Sequence, residues 1–306
     1  MNSMPASKLT SLAQAIAKFV PDGSSIAMGC AQETMIPFAA GHELIRQRKR
    51  GLTLIGPISD ILFDQLIGAG CVRKVRAAWV GNVITGSSYN FRRAVESGQL
   101  EVEDYSNLAL SMALNAGALG VPFLPTYTAL GSDLFRTNPG LKITRCPFTG
   151  VTLTAVAAIN PDIAIIHLQR SDEYGNAHFW GNTGMTKEAC LAADRVILTC
   201  EEIVPSEVIS SDPNRVITPG FQVCAVAQVS WGAHPSPMPG YYNRDHQAFL
   251  EYKAQSQTPE AFAEWQARWI DGVQDWEGYL ALLGQERLSD LGLRVKTPSA
   301  PADFGY

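Results

Sequence analysis

"SSIAMGCAQETMIPFAAGHELIRQRKR", residues 24–50, decides the fold. Its first eight residues form a short apolar run that reaches a glycine and reads as a strand. Met35 to Arg50 reads as a helix. Pro37 sits near its start, where the N–H that proline lacks has no helical partner to lose. The same unit then recurs. "LTLIGP" (52–57) is a strand, and "DILFDQLIGAG" (60–70) is a helix closed by glycine. "KVRAAWVG" (74–81) is a third strand, "SYNFRRAVESG" (88–98) a third helix, and "LEVEDY" (100–105) leads into a helix opened by Asn107. Further on come "DIAIIHLQ" (162–169), "MTKEACLAAD" (185–194) and "RVILTCEEIV" (195–204). Short apolar runs separated by helices of about ten residues imply an α/β fold: an open, mainly parallel sheet with helices on both faces.

From about Asn243 the pattern changes. Residues 245–292 are helical and aromatic with no strand signal, and Trp265, Trp269 and Trp276 fall near helical spacing, as packing residues do. The expected organisation is an α/β domain over 1–242, a helical C-terminal extension of it over 243–294, and a Pro-rich flexible tail over 295–306.

Composition narrows the function classes. Of 306 residues, 46% are apolar and 17% charged, as expected of a globular chain with a large core. A net charge of -5 argues against nucleic acid as a partner. The one dense basic run, "RQRKR" (46–50), most simply decorates a helix end, where cations suit the dipole. No apolar run approaches membrane-span length and no signal-peptide pattern opens the sequence, so a cytoplasmic protein is expected. Six scattered cysteines (Cys30, Cys71, Cys146, Cys190, Cys200, Cys224) without a C-x-x-C pair read as reduced, buried thiols. The five histidines show no metal-ligand spacing, so no metal site is expected; His42 and His167 read as packed or hydrogen-bonded core residues. Nucleotide-binding and hydrolase signatures are missing.

What remains is a set of glycine-containing strand ends. "AMGCAQETMIP" (27–37) and "WVGNVITGSS" (79–88) close strands, and the carboxyl ends of parallel strands form the ligand crevice of an open sheet. The ends near Gly29, Gly81 and Asn107 come from consecutive units. No lysine or arginine lies between Arg93 and Arg136, so this stretch suits a neutral acyl pocket or a protein interface. Asn107 opens a helix that its apolar residues predict to be buried nearly all round. It reads either as the helix cap or as an amide aimed at a ligand. The residues themselves show amide donors and no nucleophile.

Several strings together resemble the alpha chain of family I CoA-transferases, of the glutaconate CoA-transferase type. They are residues 22–47, "LIGAGCVRKV" (66–75), "FRRAVESGQLEVEDYSNLALSMALNAGALGVPFLP" (91–125), "CPFTG" (146–150), "HLQRSDEYGNA" (167–177), "AADRVILTCEEIV" (192–204) and "WGAHPSPMPGYY" (231–242). The likeness runs from about Leu9 to Leu291. In the family's N-terminal signature Asp22, Gly23, Gly29 and Pro37 fit, while Cys30 replaces a second glycine, Ala31 a phenylalanine and Met35 a later glycine.

The resemblance implies a heteromeric enzyme of αβ units that moves CoA between an acyl-CoA and a carboxylic acid. CoA thioester would be the substrate, with no tightly bound cofactor. The attacking glutamate would come from a beta-type subunit. It places Asn107 opposite a site glutamine of 3-oxoacid CoA-transferases, a histidine of glutaconate-type chains, and a catalytic glutamate of related ring-opening hydrolases. Asn107 is then an oxyanion donor. Gly29 and Asn82 are expected at strand ends facing the subunit junction, Ser59 beside the acyl tail, and Glu33 at the entrance. Arg73, Arg92 and Arg136 are candidates, by residue type, for holding a distal carboxylate. Two other readings stand beside this one: a CoA-ester hydrolase that cleaves a C–C bond, and a non-catalytic acyl-CoA-binding homologue.

Overall fold

A computed structural model describes residues 6–293. Helix α1 (Leu12–Phe19) opens on a capping box, in which Ser11 and Gln14 satisfy each other's backbone N–H. Strand β1 (Ser25–Ala27) follows, then α2 (Phe38–Arg46), β2 (Leu52–Ile55), α3 (Leu62–Gly68) and β3 (Val72–Ala77). A small hairpin of β4 (Gly81–Asn82) and β5 (Gly86–Ser87) precedes α4 (Tyr89–Glu96), β6 (Glu101–Asp104) and α5 (Asn107–Leu119). β7 (Phe123–Thr126), α6 (Leu134–Thr137), β8 (Leu141–Arg145) and β9 (Thr152–Ala157) come next. They are followed by β10 (Ile163–Ser171), β11 (Ala177–His178), α7 (Thr186–Ala192), β12 (Arg195–Ile203), α8 (Ser206–Ser210) and β13 (Val223–Gln228). Helices α9 (His246–Gln255), α10 (Pro259–Gln266), α11 (Trp276–Leu283) and α12 (Gln285–Leu291) close the described chain.

The main sheet has the order β13-β12-β10-β1-β2-β3-β6, all parallel, with β11 added antiparallel to β10. The chain builds outward from β1 to β6, then returns to the other side of β1 with β10 and builds outward again. The order therefore reverses between β1 and β10, and loops leaving their carboxyl ends diverge to leave a crevice.

Alternation along the strands sorts the core into two layers. Ile26, Leu52, Leu54, Val75, Ile163, Ile165 and Ile197 face a layer with α1 to α3 and the C-terminal helices. Ala27, Ile55, Ala164, Ile166, Leu168, Val196 and Leu198 face a layer with α5 and α7. The tryptophans at 265 and 276 pack in the first layer, where the His42 ring meets Trp276 and Tyr279 edge-on at 5.3 Å. Burial pushes His42 down to about 3, so its ring stays neutral. His167 is fully buried, with its two ring nitrogens 2.9 Å from Thr199 and 2.8 Å from Glu201.

Three expectations need correction. The α5 helix is buried along one face only: Ala109, Leu110, Ala113, Leu114 and Ala116 are inside, while Leu108 is 54% and Leu119 62% exposed. Its cap is Ser106, whose hydroxyl accepts from the Ala109 N–H, so Asn107 is the first helical residue and not the cap. The basic run does more than decorate a helix end. Arg46 pairs with Glu43, and Arg50 reaches the Ala69 and Gly70 carbonyls at the end of the next helix. A separate antiparallel sheet, β7-β9-β8, has no counterpart in the strand pattern read from sequence. Residues 294–306, including the expected tail, lie outside the described residues.

Candidate active site

The loop after β1 sits at the point where the strand order reverses, and its backbone is tightly wound. Gly29 has φ +67°, and non-glycine Gln32 and Met35 also lie in the left-handed region at φ +64° and +54°. Gly29 has no room for a side chain. A Cβ there would stand 2.8 Å from the Ser59 Oγ and 3.3 Å from the Ser59 Cα. Ser59 is buried, and its hydroxyl donates to the Met28 carbonyl at 3.4 Å. The structure thus places Ser59 beneath the glycine turn, bracing it from the β2 side. Met35 stands where the resemblance puts a glycine; its left-handed backbone costs about 1–2 kcal/mol. The turn is held from outside, by the Met35 N–H donating to the Pro237 carbonyl at 3.0 Å and the Ser236 hydroxyl donating to the Glu33 carbonyl at 2.9 Å.

Beside this turn lies a polar chain. Asp60 follows Ser59, is fully buried, and has a left-handed backbone at φ +54°. The Asn82 amide donates to one Asp60 carboxylate oxygen, while the Asn82 oxygen accepts from the Ile84 and Thr85 N–H groups and so shapes the β4–β5 hairpin. The other Asp60 oxygen lies 3.3 Å from Arg244. Arg244 also donates to the Glu33 carbonyl at 2.8 Å and to its carboxylate at 3.3 Å. Burial pushes Asp60 up to about 7; the Asn82 hydrogen bond and Arg244 pull against that, and Glu33 adds to it.

Four of the five candidate residues, Gly29, Glu33, Ser59 and Asn82, are therefore brought together at the carboxyl ends of β1 to β3. Asn107 stands apart from their hydrogen bonds. It begins α5 at the end of β6, the strand beside β3, and its side chain is exposed with no hydrogen bond to any described residue. Near it in the chain, Asp104 and Leu108 are exposed and Ser106 and Ser111 half-buried. Leu108 is next to it, and the turn carrying exposed Tyr127 and Leu130 is tied to Ser106 through Thr128 at 3.2 Å. On and beside the small sheet Ile143, Val151 and the 93% exposed Phe148 face outward together with Lys142 and Arg145.

The arginines named from sequence lie elsewhere. Arg73 is at the amino end of β3 bonded to the Gly51 carbonyl, Arg92 is exposed on α4, and Arg136 pairs with Asp133 on the surface. The cation at the crevice is Arg244, which the sequence reading missed together with Asp60. Cys30, one of the signature departures, is buried, and its thiol is pushed up to about 12, so it is no nucleophile. No group of three or more potential metal ligands is gathered among the described residues, and no described helix is long and apolar enough to cross a membrane.

A parallel sheet that reverses its strand order, with buried Ser59, Asp60 and Asn82 at the strand ends beside the reversal, defines an open α/β protein, and none of these bonded residues is an activated nucleophile. Cys146, half-buried beside the small sheet, has its thiol held below the ordinary range by hydrogen bonds with Thr149 and Phe148, but it lies outside this group. Among known proteins, the Coenzyme A transferase family model matches residues 9–228, and the chain belongs to that family. It is 39% identical to the alpha-type chain of the 3-oxoadipate CoA-transferase of Pseudomonas knackmussii, over 91% of this chain and 99% of that one. It is 35% identical to the alpha-type chain of the glutaconate CoA-transferase of Acidaminococcus fermentans, over 93% and 94%. The crystal structure of the Acidaminococcus fermentans glutaconate CoA-transferase superposes with a TM-score of 0.89 at 34% identity, covering 94% of this chain and 96% of that chain.

Proposed function

We propose that the chain is the alpha-type member of a heteromeric CoA-transferase, working in the cytoplasm with a beta-type partner and moving CoA from an acyl-CoA to a carboxylic acid. The observation that carries this reading is the near-complete match to the alpha-type chain of the Pseudomonas knackmussii enzyme, with 99% of that chain covered. The lack of an activated nucleophile in the crevice fits it. So do exposed Leu108, Tyr127 and Leu130, since exposed apolar side chains are where a second chain packs.

In this reading a glutamate carboxylate of the partner attacks the thioester carbonyl and expels CoA as thiolate, leaving an anhydride. The thiolate then attacks the glutamyl carbonyl, releasing the first acid and forming a glutamyl thioester, and the acceptor acid runs the same steps backward. Asn107 donates its amide to the oxyanion that develops on the attacked carbonyl. Gly29, Glu33, Ser59 and Asn82 form and brace the wall that holds the acyl group. An asparagine at 107 cannot take a proton as a general base, which separates this reading from hydrolysis.

The test is CoA exchange. The chain is incubated alone and with its beta-type partner, in acyl-CoA plus acetate or a dicarboxylate. New acyl-CoA that needs both chains and an acceptor is the expected result. Free CoA released without an acceptor shows hydrolysis instead, and no reaction in any pairing leaves a binding protein.

A further inference from the structure

Glu33 and Asp60 belong to loops leaving different strands, β1 and β2, and a single side chain from outside the sheet reaches both. Arg244 lies just before α9. One of its terminal nitrogens donates to the Glu33 carbonyl and carboxylate, the other to Asp60, and its plane rests over the Phe249 ring at 5.2 Å. Phe249 is fully buried in the core layer under the C-terminal helices. The guanidinium is thus seated on a rigid base and bonded to two loops whose backbones contain three left-handed non-glycine residues, Gln32, Met35 and Asp60. Such conformations persist only where the surroundings hold them. A planar cation with several donors can hold two loops at once, which a point charge cannot.

We propose that Arg244 is the positioning residue of the crevice, tying the turn after β1 to the turn after β2 and so fixing the wall against which the acyl group is held. This rests on the transferase reading for its effect on turnover, but the clamp itself can be read in the isolated chain. The groups facing Asp60 are the Arg244 guanidinium, the Glu33 carboxylate, the Asn82 amide and the Ile61 N–H. Asp60 takes up a proton as pH falls through about 7, so the charge pair with Arg244 weakens on that side. Without the cation, Asp60 titrates higher still.

The experiment compares wild type, Arg244→Gln, Arg244→Lys, Asp60→Asn and the Arg244→Gln/Asp60→Asn double variant. Hydrogen exchange is measured in the free chain, and kcat/KM against pH in the assembled complex. In Arg244→Gln, amides of residues 31–36 and 58–61 should exchange about tenfold faster or more, with the sheet unchanged. A misplaced wall should lower kcat/KM by about tenfold to a hundredfold. Arg244→Lys should recover part of this, since it can hold one loop. The wild-type decline in kcat/KM below about pH 7 should be missing in Asp60→Asn. The double variant should lose no more than the worse single one.

Unchanged exchange in Arg244→Gln overturns the proposal, as does a double-variant loss equal to the product of the two single losses. If Arg244→Gln does not fold, Arg244→Lys and Asp60→Asn carry the same exchange and pH readings. A wild-type complex that transfers no CoA removes the transferase reading, and the exchange data then decide the clamp by themselves.

Discussion

The turn after β1 and the start of α5 lie at the same edge of the sheet and differ in almost every physical respect. At the turn, polar groups are satisfied within the chain: Glu33, Asp60, Asn82 and Arg244 bond one another, and Ser59 fills the space that Gly29 leaves. At the start of α5, the Asn107 amide has no hydrogen bond to a described residue, and Leu108 beside it is exposed. Burying unpaired polar groups is costly, so a wall completed inside one chain must close its hydrogen bonds there. An exposed amide carries no such constraint, because water can satisfy it. The turn is closed within the chain, and the start of α5 is not.

The contrast can be broken at either end. The largest effect is expected at Asn107. Asn107→Ala should cut turnover of the assembled complex by about 10²–10³ while moving stability by less than about 0.5 kcal/mol, checked by steady-state rates beside thermal unfolding. A stable variant with wild-type turnover would remove the donor role. Gly29→Ala comes next. A left-handed backbone and a 2.8 Å approach to Ser59 should together cost about 2 kcal/mol, measured by denaturant unfolding. Adding Ser59→Gly should return only the part due to the clash. Ser106→Ala follows, with about 1 kcal/mol of stability lost through the cap and turnover near wild type. That result would confirm that the two neighbouring residues divide the work between them. The smallest effect is at Leu108. Leu108→Ser should change the isolated chain by less than about 0.5 kcal/mol yet weaken assembly with the partner, seen by titrating one chain with the other.

How much of this was legible in sequence depends on the range of the interactions. The main strands carry short apolar runs because both faces of a parallel sheet are covered, and that made β1, β2, β3, β10 and β12 readable. The glycine-containing strand ends marked the turns after β1 and β3, since tight turns leave a local mark, and the family resemblance supplied the candidate residues that the structure brings together there. The small sheet left little such mark. Its outer strands "FLPT" and "LKITR" are short, mixed in polarity and partly exposed, and only the central "TLTAVA" carries a β-branched run. Asp60 and Arg244 were missed for a different reason. They are 184 residues apart, and an ion pair at that distance has no spacing to recognise. The α5 cap turned on one residue. Ser106 and Asn107 are both good caps by type, and only the backbone shows that the serine takes that position and frees the asparagine.

The reversal of strand order also bears on how the molecule comes to exist. β1, β2, β3 and β6 pair in the order in which the chain supplies them, and so do β10, β12 and β13. The two ladders meet at a seam where just two residue pairs, Ile26 with Ile163 and Ala27 with Ala164, are in register, nearly half the chain apart. Closing so long a loop has a large entropic cost and little local reward, so the seam should form late in folding and part early on heating. The crevice lies directly above it. If the transferase proposal holds, the acyl wall of a nascent chain is complete only once both ladders have joined, and a ligand bound there should act as a staple across the seam.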